Sequence, residues 1–84
     1  MRLSVLEIGG KGIVCGLDVS GHGGDVEEAE LERRLLEMGF VEGAAVQVLH
    51  EGLFGRDPIA VKLDDMRVAL RRREADAILL ETAP

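Results

Sequence analysis

Hydrophobic and polar residues alternate most regularly in the segment 59–71. Two alternating runs lie there, and only the two aspartates at 64–65 separate them. Alternating runs joined by a two-residue turn predict a β-hairpin. One side of this hairpin is basic, because Lys62 faces Arg67. The other side is apolar and is expected in the core, with the facing pairs Ile59–Leu70, Val61–Val68 and Leu63–Met66.

Two further runs alternate well enough to be strands, at residues 13–19 and 44–50, and residues 78–81 are expected to form a last short strand. Polar residues at 72–77, just before the last run, predict a single helical turn. In the first run one face is expected to point into the core, and its members are Ile13, Cys15, Leu17 and Val19.

At residues 27–38 the spacing of apolar residues becomes that of a helix. Leu31, Leu35 and Met38 share one face there. Asp25, or a residue on either side of it, is the expected N-cap, with Glu28 as its capping-box partner. At the other end, Gly39 supplies a left-handed residue and Phe40 is placed to pack back on the last turn. The sequence therefore gives this helix a start and a stop.

These elements predict a mainly β fold, in which about five short antiparallel strands carry one inserted α-helix. A flat sheet of this size would leave an apolar face uncovered, so a strongly bent SH3-like barrel is the expected architecture. The 84 residues are expected to form one domain, 1–84, because a chain of this length has no room for a second core.

The amino-acid composition of the chain disfavours several classes of function. Ten basic against sixteen acidic side chains give a net charge of −6, which disfavours nucleic acid as a partner. No apolar run approaches the about 20 residues that cross a bilayer, and an acid at Glu7 interrupts any signal peptide, so we expect a cytoplasmic protein without direct membrane insertion. The short chain and its two aromatic residues also favour a binding or regulatory module over an enzyme.

A transition-metal site has weak candidates in His22 and His50, with Cys15 and nearby carboxylates in support. Their spacing does not favour a preformed site. Cys15 is expected to be a buried small hydrophobe, His22 to lie in a mobile glycine-rich loop, and His50 to end a strand. We expect no certain cofactor, and at most weak or adventitious binding of a divalent transition metal.

The strongest candidate for partner binding is a basic strip formed by Lys62, Arg67 and Arg71, with Arg72 and Arg73 just beyond it. Like charges placed opposite each other on neighbouring strands are mildly destabilising unless carboxylates lie nearby. One interpretation is that the strip meets an acidic surface on a protein partner. The alternative is a solvated face, or a strand edge that is protected by basic residues against aggregation.

Leu53 and Phe54 form a second candidate, because they lie in a glycine-bounded turn at residues 51–58 and are expected to be exposed. Exposed apolar residues of this kind serve either self-association, which would make a homo-oligomer, or docking to a partner. The pattern does not separate the two.

Four segments of the chain together resemble the FeoA family, which comprises small cytoplasmic proteins of bacterial ferrous iron uptake with an SH3-like barrel. The segments are residues 10–14, 33–44, 57–59 and 70–75, followed by Ile78. The chain departs from the family at Glu42, where the family often has Pro, and in a longer acidic lead-in at residues 22–32.

The resemblance implies an accessory protein without catalytic activity that docks on the cytosolic side of the FeoB-type iron permease. The alternative of another class is a soluble transition-metal-binding or metal-sensing module. Both interpretations remain open at the level of the sequence.

Overall fold

The computed structural model describes residues 1–82 and forms an antiparallel sheet with the strand order β4-β3-β2-β1-β5. A short 3-10 helix at Leu3–Val5 precedes the sheet, and a long helix is inserted between the first two strands. The predicted mainly β class is confirmed. None of the helices in residues 1–82 is long and apolar enough to span a membrane. The elements are β1 (Lys11–Leu17), α1 (Asp25–Met38), β2 (Ala45–Glu51), β3 (Ile59–Leu63), β4 (Met66–Leu70), α2 (Arg72–Ala75) and β5 (Ile78–Glu81).

The β3–β4 hairpin has the predicted register in every pair, including Lys62 opposite Arg67. Asp64 adopts a φ of 52°, a conformation that aspartate tolerates better than most residues. Its main-chain N–H donates to Ala45 O, which ties the turn to β2. The expectation that the whole apolar side is buried in the core was wrong at Met66, which is 53% exposed because it lies at the turn.

Helix α1 begins at Asp25, and Gly24 is its N-cap. The predicted capping partner was wrong by one residue, because the Gly24 N–H donates to the carboxylate of Glu27 at 3.1 Å. The predicted C-terminus is confirmed. Gly39 has a φ of 112°, its N–H donates to Leu36 O, and the N–H of the fully buried Phe40 donates to Leu35 O.

Strand β1 does not have the predicted buried face along its whole length. Its pairing with β5 shifts register between Val14 and Gly16, so Cys15 is the extra residue of a β-bulge. Before the bulge Val14 points into the core, and beyond the bulge Leu17 packs against it. The prediction that Cys15 is buried was wrong, because the bulge leaves this side chain exposed.

The first residues of the chain are part of the packed structure. Leu3 is fully buried, and Arg2 forms an isolated bridge with Leu79 of β5. The Leu80 N–H donates to Met1 O at 2.6 Å. This segment therefore covers the outer edge of β5. The largest fully buried side chains are Leu3, Val14, Leu35, Phe40, Val48, Ile59, Val61, Leu63, Leu70, Ile78 and Leu80.

Candidate functional site

A row of polar side chains crosses four neighbouring strands on the outer side of the sheet. Arg67 on β4 lies opposite Lys62 on β3, which lies opposite Gln47 on β2, which lies opposite Lys11 on β1. We call these four residues the basic row. Adjacent strands are about 4.8 Å apart, so the row is about 14 Å long. Its three cationic members are exposed.

The positive charges of the row have no ion-pair partner within the part of the chain that the structure describes. No ion pair among residues 1–82 involves Lys11, Lys62 or Arg67. Asp64 lines a shallow depression together with Lys11 and Lys62, but its Oδ1 accepts a hydrogen bond from the Ala45 N–H at 3.0 Å. The cross-strand pair of like charges therefore forms no ion pair among the described residues, although the Asp64 carboxylate lies in the same depression, and the repulsion disfavours the hairpin slightly.

The second predicted candidate lies at one end of this surface. Leu53 is 95% exposed and Phe54 is 88% exposed, in the turn between β2 and β3. Phe54 lines a groove together with Ala69 and Arg71. Ala69 follows Arg67 by two positions on β4, so the two side chains share one side of the strand. We call the combined surface the outer face; it consists of Lys11, Gln47, Lys62, Arg67, Ala69, Arg71 and Phe54.

Arg72, which the sequence places just beyond the basic strip, does not extend the strip. Its Nη1 donates to Ser4 O at 2.7 Å, its Nε to Arg56 O at 2.6 Å, and its Nη2 to the Glu51 carboxylate at 3.0 Å. The Arg72 main-chain N–H donates to Asp57 Oδ1. The side chain is only 20% exposed and joins the 3-10 helix, β2 and the turn after β2. Its role is structural.

Two carboxylates that hold elements together have lowered pKa values. The pKa of Asp18 lies at about 2, first because the Ser20 hydroxyl donates to it and then because the Arg2 guanidinium does. The pKa of Glu51 is lowered chiefly by the hydrogen bond from Arg56, with a smaller contribution from Arg72. Both groups remain ionised at neutral pH and keep their arginine partners in place.

The structure does not bring the three metal-ligand candidates together. His22 is buried rather than mobile: its Nε2 lies 2.8 Å from Arg73 O, and its Nδ1 lies 3.2 Å from Val19 O. Carbonyl oxygens only accept hydrogen bonds, so the ring nitrogen that carries the proton donates to one of them, and both ring nitrogens face the main chain. His50 is exposed on β2. Residues 1–82 contain no group of three or more His, Cys, Asp or Glu side chains that could hold a metal ion.

Comparison with known proteins gives consistent matches. The family model described as the FeoA domain matches residues 1–82. A curated relative, the Fe(2+) transport protein A/Fe(2+) transporter FeoB fusion protein of Porphyromonas gingivalis, is 36% identical over 81 residues. These residues are 96% of this chain but only 8% of that protein.

Solved structures of FeoA proteins are also similar to this chain. A FeoA-like protein from Clostridium acetobutylicum is 30% identical with a TM-score of 0.79, covering 98% of this chain and 85% of that one. The Stenotrophomonas maltophilia FeoA, a prokaryotic SH3 domain protein complexed with zinc, is 32% identical with a TM-score of 0.77, covering 96% and 89%. A manganese-dependent transcriptional repressor, 22% identical with a TM-score of 0.77 over 99% of this chain and 41% of that one, shares the fold.

Proposed function

The chain belongs to the FeoA family, and we propose that it is an accessory protein of ferrous iron uptake that docks on the cytosolic side of a FeoB-type iron permease. In this proposal the protein carries out no chemistry of its own. The fusion protein of Porphyromonas gingivalis supports it, because there a FeoA relative and a FeoB transporter form one chain. Covalent joining of the two proteins in one organism supports a role for both in the same process.

The observation that carries the docking proposal is the basic row on the outer face, whose three cations form no ion pair in residues 1–82. Charges that lack partners in the free protein gain most from complementary carboxylates on another surface, which also speed the encounter. Phe54 adds an exposed aromatic side chain beside Arg71. Aromatic residues and arginines are the side chains that most often dominate binding energy. The outer face therefore has both a charged region and an apolar anchor.

Charge reversal tests the proposal. The full chain and the FeoB-type permease from the same source are purified, the permease is placed in nanodiscs, and the dissociation constant is measured by biolayer interferometry. We expect the double variant Lys62→Glu, Arg67→Glu to bind at least about tenfold more weakly, which corresponds to about 1.4 kcal/mol. Wild-type affinity is also expected to fall as salt rises, because exposed charges are screened.

The control is Arg33→Glu, which reverses one charge on α1, and it is compared with each single reversal, Lys62→Glu and Arg67→Glu, as well as with the double variant. The Arg33 side chain is 65% exposed and its ionic partner is Glu37 on the same helix. We expect this variant to bind within about twofold of the wild type, since it lies outside the outer face. Unchanged binding by the double variant, or no binding by the wild type, would contradict the proposal.

The alternative of a soluble metal-binding module has less support, because both ring nitrogens of His22 face main-chain carbonyl oxygens and residues 1–82 hold no group of three or more metal-ligating side chains. Anaerobic titration of the full chain with Fe(II), followed by calorimetry, separates the two functions. A stoichiometric site that survives treatment with a chelator would favour metal binding over docking.

A further inference from the structure

Strand β4 is an edge of the sheet, since it pairs only with β3 in the described strand order. The direction in which the main-chain N–H and C=O groups of β4 point follows from the hydrogen bonding at the β3–β4 turn. The Asp64 N–H donates to Ala45 O, so β3 directs the main-chain groups of Lys62 toward β2. Lys62 is therefore a non-hydrogen-bonded partner of Arg67, and the N–H and C=O groups of Arg67 point away from β3. Ala69, two residues further along, has the same orientation.

These outward main-chain groups have no main-chain partner in the described residues 1–82. The opposite edge of the sheet differs. On β5 the Leu80 N–H donates to Met1 O, and the first residues cover the strand. Beyond the end of β4, the Arg71 N–H donates to the Glu74 carboxylate at 3.0 Å. The open stretch of edge therefore consists of Arg67 and Ala69, which together can make up to four hydrogen bonds.

The side chains beside this stretch indicate what could pair with it. Arg67 and its cross-strand neighbour Lys62 leave two positive charges at one end. At the other end Ala69 borders the groove that Phe54 and Pro58 also line. A residue paired with Arg67 in an added strand would place its side chain on the outer face beside both charges. A residue paired with Ala69 would place its side chain against Phe54.

We propose that β4 receives an extended segment of the docking partner as an additional strand of the sheet, with a carboxylate opposite Arg67 and an apolar side chain opposite Ala69. This inference rests on the proposed docking function and specifies how the partner is recognised. Main-chain hydrogen bonds would supply affinity, and the two side chains would supply specificity. A second copy of this chain fits the edge poorly, because pairing β4 with itself brings Arg67 and Arg71 close to their like-charged counterparts.

Proline at position 69 tests the main-chain bonds directly. Ala69→Pro removes an N–H that points outward, and proline is tolerated on edge strands in that orientation. We expect binding to the permease in nanodiscs to weaken at least about tenfold. The matched control is Glu42→Pro, in the turn where Gly43 has a φ of 94° and the Ala44 N–H donates to Val41 O. Proline suits this turn position, so the control should bind within about twofold of the wild type.

Amide hydrogen exchange on the wild-type protein keeps the test independent of any folding defect in the proline variant. In the complex with the permease, the Arg67 and Ala69 amides are expected to exchange at least about tenfold more slowly than in the free protein. A complex in which both amides still exchange at their free rates would overturn the inference and leave docking intact. Failure of the wild type to form any complex would overturn docking itself. Protection that depends on the concentration of the protein alone would identify a second copy as the occupant and also overturn the inference.

Discussion

Arg67 and Arg72 are close in sequence, yet their guanidinium groups have opposite surroundings. Arg72 donates to two carbonyl oxygens and one carboxylate and is largely covered. Arg67 is exposed beside Lys62, and no ion pair in residues 1–82 includes it. The difference shows that a run of basic residues can combine two tasks. One part of it joins elements of the fold, and the other remains available to a partner.

The largest expected effect separates these two arginines by stability. Arg72→Ala leaves Ser4 O and Arg56 O without their charged donor, and we expect a loss of about 2 kcal/mol in the free energy of unfolding. For a domain of this size, that is a fall of about 8–16 °C in Tm. Arg67→Ala, the matched control, should stay within about 0.5 kcal/mol of the wild type. Urea denaturation measures both, and equal losses in the two variants would remove the distinction.

The dependence of stability on pH also distinguishes the structural arginines from Arg67, because the structural arginines bind ionised carboxylates. The pKa of Asp18 is about 2 in the folded protein, below its value of about 3.9 in unfolded chains. Its contribution to stability is therefore complete above about pH 5 and is lost as the pH falls toward about 2. Glu51 has a lowered pKa and acts in the same direction.

The measurement is urea denaturation at several values between pH 7 and pH 2.5. Asp18→Asn should lose part of the wild-type dependence of stability on pH below about pH 5, because the substituted side chain does not titrate. Arg67→Ala should keep the wild-type dependence. An Asp18→Asn variant with an undiminished acid slope would show that this carboxylate is not the group responsible.

The smallest expected effect has the opposite sign. Lys62→Glu replaces a like-charge pair across the hairpin with an opposite-charge pair, so we expect the protein to gain about 0.2–1 kcal/mol of stability. Lys62→Gln removes the repulsion without adding attraction and should gain less. Urea denaturation at low salt gives both values. If Lys62→Glu is destabilising, the basic row is compensated in a way that the structure does not show.

Local signals predicted the parts of the fold that depend on neighbouring residues in sequence. The two-residue turn fixed the register of the β3–β4 hairpin, and Gly39 with Phe40 fixed the end of α1. The buried face of β1 was mispredicted, because a bulge depends on pairing with β5 at the far end of the chain. Leu3 was missed for the same reason, since nothing near it in sequence indicates that it packs in the core.

The candidate site was predicted in pieces. The hairpin alone placed Lys62 opposite Arg67, and the glycine-bounded turn indicated that Phe54 is exposed. Lys11 and Gln47 join the row only through the long-range pairing of β1 with β2 and of β2 with β3. The structural role of Arg72, just beyond the strip, was not predicted, because its partners, such as Ser4 O, lie far away in sequence. These positions depend on hydrogen bonds between segments that are distant in sequence, and the local pattern of side chains does not predict those bonds.

The bulge in β1 has a practical consequence for handling the protein. Cys15 is the chain's one cysteine, and the bulge leaves it exposed. Thiolates at accessible positions exchange and oxidise, so two copies of the chain can become joined through an intermolecular disulfide in air-equilibrated buffer. The oligomeric state is therefore meaningful only when it is measured with reductant present. The same thiol accepts a maleimide fluorophore without any substitution, which gives every docking experiment a built-in reporter on the sheet.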